Sequence, residues 1–282
     1  MRIVPFDGML QNAREHHFAI GGFNVVNLET AQAVVNAAAK EHTPLIMQVY
    51  HEDLEHTGGP FISAIANAAA EAAPIPIALS LDHGKSFEQA IYCMESGFSG
   101  VMIDLATSDF QANILTTRKV VEAAHARGVS VEAELGEIFS AGASVEVRNS
   151  AMTDPDLAAE FVVKTGVDAL AVSIGTAHGI YSSKPVIDFD LLKRILEVVK
   201  IPVVVHGGSN TPDEDIVEIV RLGAAKLNIG TDLMMAFNQG MLEILTADPT
   251  VAPREALGHA RDCVEKVVRH KIQLLTKFRT DR

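Results

Sequence analysis

Three histidines stand where short β-branched runs stop. His83 follows Leu79-Ser80-Leu81-Asp82, His178 lies in Gly175-Thr176-Ala177-His178-Gly179, and His206 closes Val203-Val204-Val205. Three imidazoles with an open fourth position form the ligand set of a catalytic zinc site. Asp82 adjoins the first of them, where a carboxylate serves either as a general acid–base or as the acceptor that orients an imidazole. Asp104 and Glu134 end two more such runs. They carry two readings, support behind the histidines or an alternate metal position. Among the 11 histidines, His16, His17, His42, His125 and His270 sit on polar faces or at helix ends, where a solvated imidazole is expected.

Glycine-rich turns accompany this cluster. His206-Gly207-Gly208-Ser209 leads through Thr211-Pro212-Asp213, an N-cap-like start, into a helical pattern. Asn228-Ile229-Gly230-Thr231-Asp232 leads into another. Gly permits close backbone approach, Ser and Thr donate hydrogen bonds, and a helix N-terminus favours an anion. A phosphate can therefore be held without a basic patch. The overall balance makes this necessary, since 23 Lys+Arg against 36 Asp+Glu leave a net charge of −13. Such a balance argues against nucleic acid and against anionic membrane surfaces as partners.

The elements that must position these groups alternate from end to end. Runs at Ala19–Val25, Pro44–Val49, Ile75–Leu81, Gly100–Leu105, Val129–Glu134, Ala169–Ile174, Pro202–Val205 and Ala225–Ile229 read as strands. Helical spacing appears at Leu28–Glu41, Phe87–Ser96, Asp156–Thr165, Phe189–Val199 and Pro212–Leu222. Gly97, Gly128, Gly166 and Gly223 stand where left-handed helix caps are wanted. The pattern predicts an α/β fold, a (β/α)8 TIM barrel with an extra C-terminal helix within Pro253–Phe278, with residues 1–282 as a single domain. In that fold all three histidines meet at the C-terminal mouth of the barrel. A doubly wound open sheet is the runner-up, but Gly21-Gly22-Phe23-Asn24 is no dinucleotide fingerprint. Cys93 and Cys263 lie far apart without metal-ligand spacing and read as inert thiols in a reducing compartment. No stretch suits a signal peptide or a membrane span, so a cytoplasmic protein is expected.

At these residues the sequence resembles the class II, metal-dependent ketose-bisphosphate aldolases nearly end to end. The motifs are Gly22-Phe23-Asn24, Leu81-Asp82-His83-Gly84, Val101-Met102-Ile103-Asp104, Glu134-Leu135-Gly136, Gly175-Thr176-Ala177-His178-Gly179 and the two glycine-rich turns. The stretch from Gly175 to Phe189 is most similar to the tagatose-bisphosphate branch. The resemblance implies Zn2+ on His83, His178 and His206, with Asp82 as the catalytic acid–base. It implies that Asn24, Gly179, Gly207, Gly208, Ser209, Asn228, Gly230 and Thr231 surround a dihydroxyacetone-phosphate moiety, with a monovalent cation (Na+ or K+) nearby. The implied reaction is reversible retro-aldol cleavage of a ketose 1-phosphate, without a lysine Schiff base. A homo-oligomer, dimer or tetramer, is expected.

Three departures from the family pattern stand out. The loop after Glu134-Leu135-Gly136 lacks the usual glycine-rich acidic run, which leaves Glu146 or Glu137 to shuttle the C3 proton. Tyr50-His51-Glu52-Asp53 replaces a Ser that helps bind the aldehyde half, and His51 becomes an aldehyde-side candidate. At or near Gly258 the tagatose branch has an Arg toward the far phosphate, with Arg261 one turn along as its substitute. A 1,6-bisphosphate is thus expected to be used less well than a 6-substituted analogue. Candidates are 6-deoxy-6-sulfofructose 1-phosphate, a 6-deoxy sugar or a free 6-hydroxyl. Two other classes compete with this reading, a zinc barrel metallohydrolase and a non-catalytic sugar-phosphate-binding relative.

Overall fold

The computed structural model describes residues 3–139, 151–181 and 184–281. Eight parallel strands close into a barrel in chain order. They are β1 (Ile20–Asn24), β2 (Leu45–Tyr50), β3 (Ile77–Gly84), β4 (Gly100–Ile103), β5 (Ser130–Leu135), β6 (Ala169–Val172), β7 (Val203–Val205) and β8 (Lys226–Ile229). β8 pairs back onto β1, with Gly22 opposite Asn228. The expected barrel is therefore present.

Helices cover the outside. Those from the N-terminus to β5 are α1 (Asp7–Glu15), α2 (Leu28–Lys40), α3 (His51–Thr57), α4 (Gly59–Ala72), α5 (Phe87–Glu95) and α6 (Phe110–His125). After β5 come α7 (Pro155–Thr165), α8 (Phe189–Val198), α9 (Asp213–Leu222), α10 (Thr231–Ala247) and α11 (Pro253–Leu275). Their starts follow from local chemistry. Asn27 caps α2 in a reciprocal capping box with Thr30, and Ser86, Asp109 and Asp154 cap α5, α6 and α7. The expected N-cap at Thr211 is different: Pro212 holds that position, and Thr211 Oγ1 donates to the Gly207 carbonyl instead (2.8 Å). Among the described residues, no helix is long and apolar enough to cross a membrane.

Strand side chains alternate between two environments, as a period of two demands. Leu45, Met47 and Val49 of β2 pack outward beneath the helices. Ile46 points inward, into a cluster with Ile20, Ala78, Met102 and Val204 that Phe6 and Leu10 close from the N-terminal side. The first helix thus plugs the barrel floor, an element the hydrophobic pattern did not reveal. Higher in the barrel the inward positions turn polar: Gln48, Glu132 and Lys226, then Asn24, Asp82 and Asn228, all but Asn24 buried.

One strand end departs from expectation. β3 does not stop at Leu81 but runs to Gly84, with its register to β4 shifting between Leu81 and Gly84. His83 lies inside that irregularity with a left-handed φ of +53°. A bulge re-aims side chains. Strict alternation would send Asp82 and His83 to opposite faces, and here both reach the mouth.

Candidate active site

The three histidines converge. Their ligating nitrogens lie within 4.8 Å of one another, and all three rings meet edge to face. His83 Nε2 is 3.0 Å from His206 Nδ1. Two nitrogens on one tetrahedral zinc, each bonded at about 2.0–2.1 Å, would stand about 3.3 Å apart. The far nitrogens are held by carboxylates: His83 Nδ1 by Asp104 Oδ2 (2.8 Å) and His206 Nε2 by Glu132 Oε1 (2.9 Å). A carboxylate behind an imidazole fixes the tautomer that presents the opposite lone pair. The donor set and its backing therefore fit Zn2+.

The electrostatics point the same way. Burial pulls the His83 imidazole down, but the Asp82 charge and the Asp104 hydrogen bond outweigh it and push it up to about 9. Burial, then the charges of His83 and His206, pull His178 down to about 3. Burial likewise lowers His206. Lowered proton affinity leaves His178 and His206 with free lone pairs, the form in which an imidazole binds a metal ion. Glu134 is buried, and burial pushes it up to about 8. Its Oε2 has no hydrogen-bond partner and lies 3.8 Å from His83 Nδ1, so His83, Asp104 and Glu134 form a second triplet of possible ligands.

Asp82 sits beside the imidazoles in a cage of amides. Asn24 Nδ2 donates to Oδ2 (2.8 Å), and Gln48 Nε2 (3.0 Å) and Asn228 Nδ2 (3.2 Å) donate to Oδ1. Burial raises this carboxyl, yet the His83 and His206 charges and the Asn24 bond leave it below the usual carboxylate range. An ionised, oriented carboxylate results.

Both glycine-rich turns flank the same cavity of about 720 Å3, lined by Asp82, His83, His178, Gly179, Gly207 and Ser209, and by Asn24, Asn228, Gly230 and Thr231. Ser209 Oγ accepts from Gly230 N and Asp232 N (both 3.1 Å), joining the two turns. Gly207 has a φ of +73°, and a Cβ there would stand 2.5 Å from the Ala177 carbonyl. Only Gly fits where the turn after β7 passes the His178 loop. Gly208 packs on Leu227 beneath the turn.

The whole chain matches known proteins on the same terms. The family model described as "Fructose-bisphosphate aldolase class-II" matches residues 4–278. The chain belongs to the class II fructose-bisphosphate aldolase family. It is 37% identical over 292 residues to the fructose-bisphosphate aldolase of Thermus caldophilus, covering 94% of this chain and 95% of that protein. The corresponding enzyme of Geobacillus stearothermophilus is 36% identical over 277 residues, covering 97% and 96%. Among solved structures, the YdjI aldolase of Escherichia coli K12 superposes with a TM-score of 0.86 at 33% identity, covering 97% of each chain.

Within this aldolase scaffold, not every expected residue reaches the cavity. His51 starts α3 with its ring 4.4 Å from that of Tyr50, which itself lines the cavity. Arg261 lies on α11 paired with Asp262 (2.9 Å) and is not among the cavity-lining residues. Glu146 lies outside the described residues. Other functional side chains went unread in the sequence: Gln48 on Asp82, Glu132 bridging His206 and Lys226 (2.5 Å), and Lys85 on Asp104 (2.6 Å). The available signal was Gln48 among the apolar residues of Leu45–Tyr50, and Glu132 and Lys226 two places before Glu134 and Asn228 in their own strands.

Proposed function

We propose that this chain catalyses reversible retro-aldol cleavage of a ketose 1-phosphate to dihydroxyacetone phosphate and an aldehyde. The observation that carries this reading is Asp82, ionised and held by three amides beside three convergent imidazoles in one cavity. His83, His178 and His206 would hold Zn2+, which when bound would supply Lewis acidity at the ketose carbonyl. Asp82 accepts the C4 hydroxyl proton as the C3–C4 bond breaks, and returns it to the aldehyde oxygen in condensation. A carboxylate after β5, Glu137 or Glu146, handles the C3 proton. Asp104 and Glu132 hold the imidazoles in place. Gly179, Gly207, Ser209, Gly230 and Thr231 cradle the phosphate, with Gly208 supporting the turn beneath, Asn24 and Asn228 orient the triose, and a Na+ or K+ would be bound nearby. Residues 1–282 act as one catalytic domain in a homo-oligomer.

The aldehyde side sets the substrate class. Among the described residues Lys85 is the one Lys or Arg lining the cavity, and Asp104 already pairs with it. Glu52 and Asp53 line the same cavity. A second dianionic phosphate meets little positive charge there, in keeping with a tagatose-like branch rebuilt at its aldehyde end. A ketose 1-phosphate bearing a 6-sulfonate, a 6-deoxy carbon or a free 6-hydroxyl is the better fit. Comparing kcat/KM for 6-phospho, 6-sulfo and 6-deoxy ketose 1-phosphates tests it, with dihydroxyacetone phosphate release as the readout. A clear preference for the 1,6-bisphosphate refutes the aldehyde-side assignment, and no release from any of them refutes the aldolase reading.

A further inference from the structure

The last two helices carry a second constellation, none of whose members lines the barrel-mouth cavity. α10 and α11 are joined by a short connection and pack closely at Gly240. A Cβ at Gly240 would lie 2.8 Å from Ala260 Cα and 3.2 Å from Cys263 Sγ. That approach brings Glu243, about one turn beyond Gly240 on α10, against the α11 face that carries His259 and Cys263. The latter two are four residues apart and so share that face. His259 Nε2 stands 2.9 Å from Glu243 Oε2 and 3.7 Å from Cys263 Sγ. All three ligand atoms lie within 4.8 Å of one another. Gln239 Nε2 donates to Glu243 Oε1 (3.1 Å), which leaves Oε2 aimed at the imidazole.

We propose that Glu243, His259 and Cys263 form a second metal site, taking Zn2+ with water in the fourth position and clamping α10 to α11. The donor types are those zinc prefers, and a tetrahedral ion would set S···N near 3.6 Å and N···O near 3.3 Å. The observed 3.7 Å and 2.9 Å require shifts of a few tenths of an ångström. Cys263 loses its thiol proton to solvent on binding, and the thiolate with the Glu243 carboxylate balances a divalent charge. Access is open, because the His259 and Glu243 side chains are 36% and 50% exposed. The clamp has a structural consequence for the proposed reaction. Met234, Phe237 and Asn238 of α10 wall the cavity, so the site anchors the helix that forms this wall.

The test uses the full chain with its barrel-mouth site already loaded, and zinc ion as the probe. Cys93 is buried, so the thiol open to alkylation is Cys263. Added zinc should slow alkylation of Cys263 by about tenfold or more, since a coordinated sulfur is a poor nucleophile, and a chelator should restore it. His259→Ala should abolish that protection, and bound zinc should fall from about two ions per chain to about one. Cobalt(II) in place of zinc should give a thiolate-to-metal absorption band that Cys263→Ser removes. Zinc-independent alkylation of the native chain, or protection that persists in His259→Ala, overturns the proposal. These readouts do not involve aldol chemistry, so they stand or fall separately from the proposed reaction.

Discussion

Glu132 joins His206 to Lys226 inside the barrel, with Oε1 2.9 Å from His206 Nε2 and Oε2 2.5 Å from Lys226 Nζ. None of the three side chains has exposed surface. The carboxylate is therefore both the orienting partner of an imidazole and the counter-charge of a buried lysine. Burial raises its carboxyl, but Lys226 and His206 outweigh this and hold it below the usual range.

Glu132→Gln should expose that dual role. It leaves the Lys226 ammonium buried without a carboxylate, which costs about 3–5 kcal/mol of stability. It also loosens His206, and loss of such a partner lowers metal affinity by about 10–100-fold. Thermal unfolding and equilibrium zinc binding read the two effects. An unchanged melting temperature with unchanged zinc affinity would reduce Glu132 to filler.

Asp82→Ala should separate binding from chemistry. All three imidazoles remain, and His83 and His206 keep Asp104 and Glu132 behind them, so zinc should remain bound. Carbon–carbon cleavage should fall by at least about a hundredfold, the usual effect of losing a general acid–base. Exchange of the C3 proton of dihydroxyacetone phosphate should survive, because a different carboxylate performs it. Near-normal cleavage in this variant would leave Asp82 with an orienting role alone.

Cys93 gives a pH-dependent marker of the folded core. Burial pushes its thiol up to about 12 from an ordinary 9.0. A raised value in the folded state means the fold holds the proton more tightly than the unfolded chain does. The contribution is fully present below about pH 9 and is lost as pH rises toward about 12. Native protein should therefore show a slow Cys93 at neutral pH, becoming reactive only on unfolding, and Cys93→Ala should flatten the loss of stability above about pH 9. Fast labelling of Cys93 in the folded chain would contradict its burial.

Asp82, His83 and His206 are legible in the sequence because they close apolar runs, and His178 because it lies in the loop after one. A closed parallel barrel gathers all such ends at one face. Glu132, Gln48 and Lys226 are less so. Gln48 is a lone polar residue among apolar neighbours, while Glu132 and Lys226 share their runs with Glu134 and Asn228. Only the register reveals which of them meet inside the barrel. The β3 irregularity is also invisible in a periodic pattern, because alternation assigns Asp82 and His83 to opposite faces. α1 escapes for another reason: its Met9, Leu10 and Ala13 find their partners in the barrel floor, not in a neighbouring helix. Glu243, His259 and Cys263 share no sequence motif, since two helices must pack before they meet.

Metal dependence of dihydroxyacetone phosphate release is the most direct test of the barrel-mouth site. Protein stripped by exhaustive chelation, with negligible metal content verified, should release none from a ketose 1-phosphate, and zinc should restore the rate. His206→Ala, which leaves two imidazoles at the barrel mouth, should lose most of the ion held there and fail to recover. Full activity in the metal-free protein would contradict the assignment of His83, His178 and His206 as the ligands of a working ion.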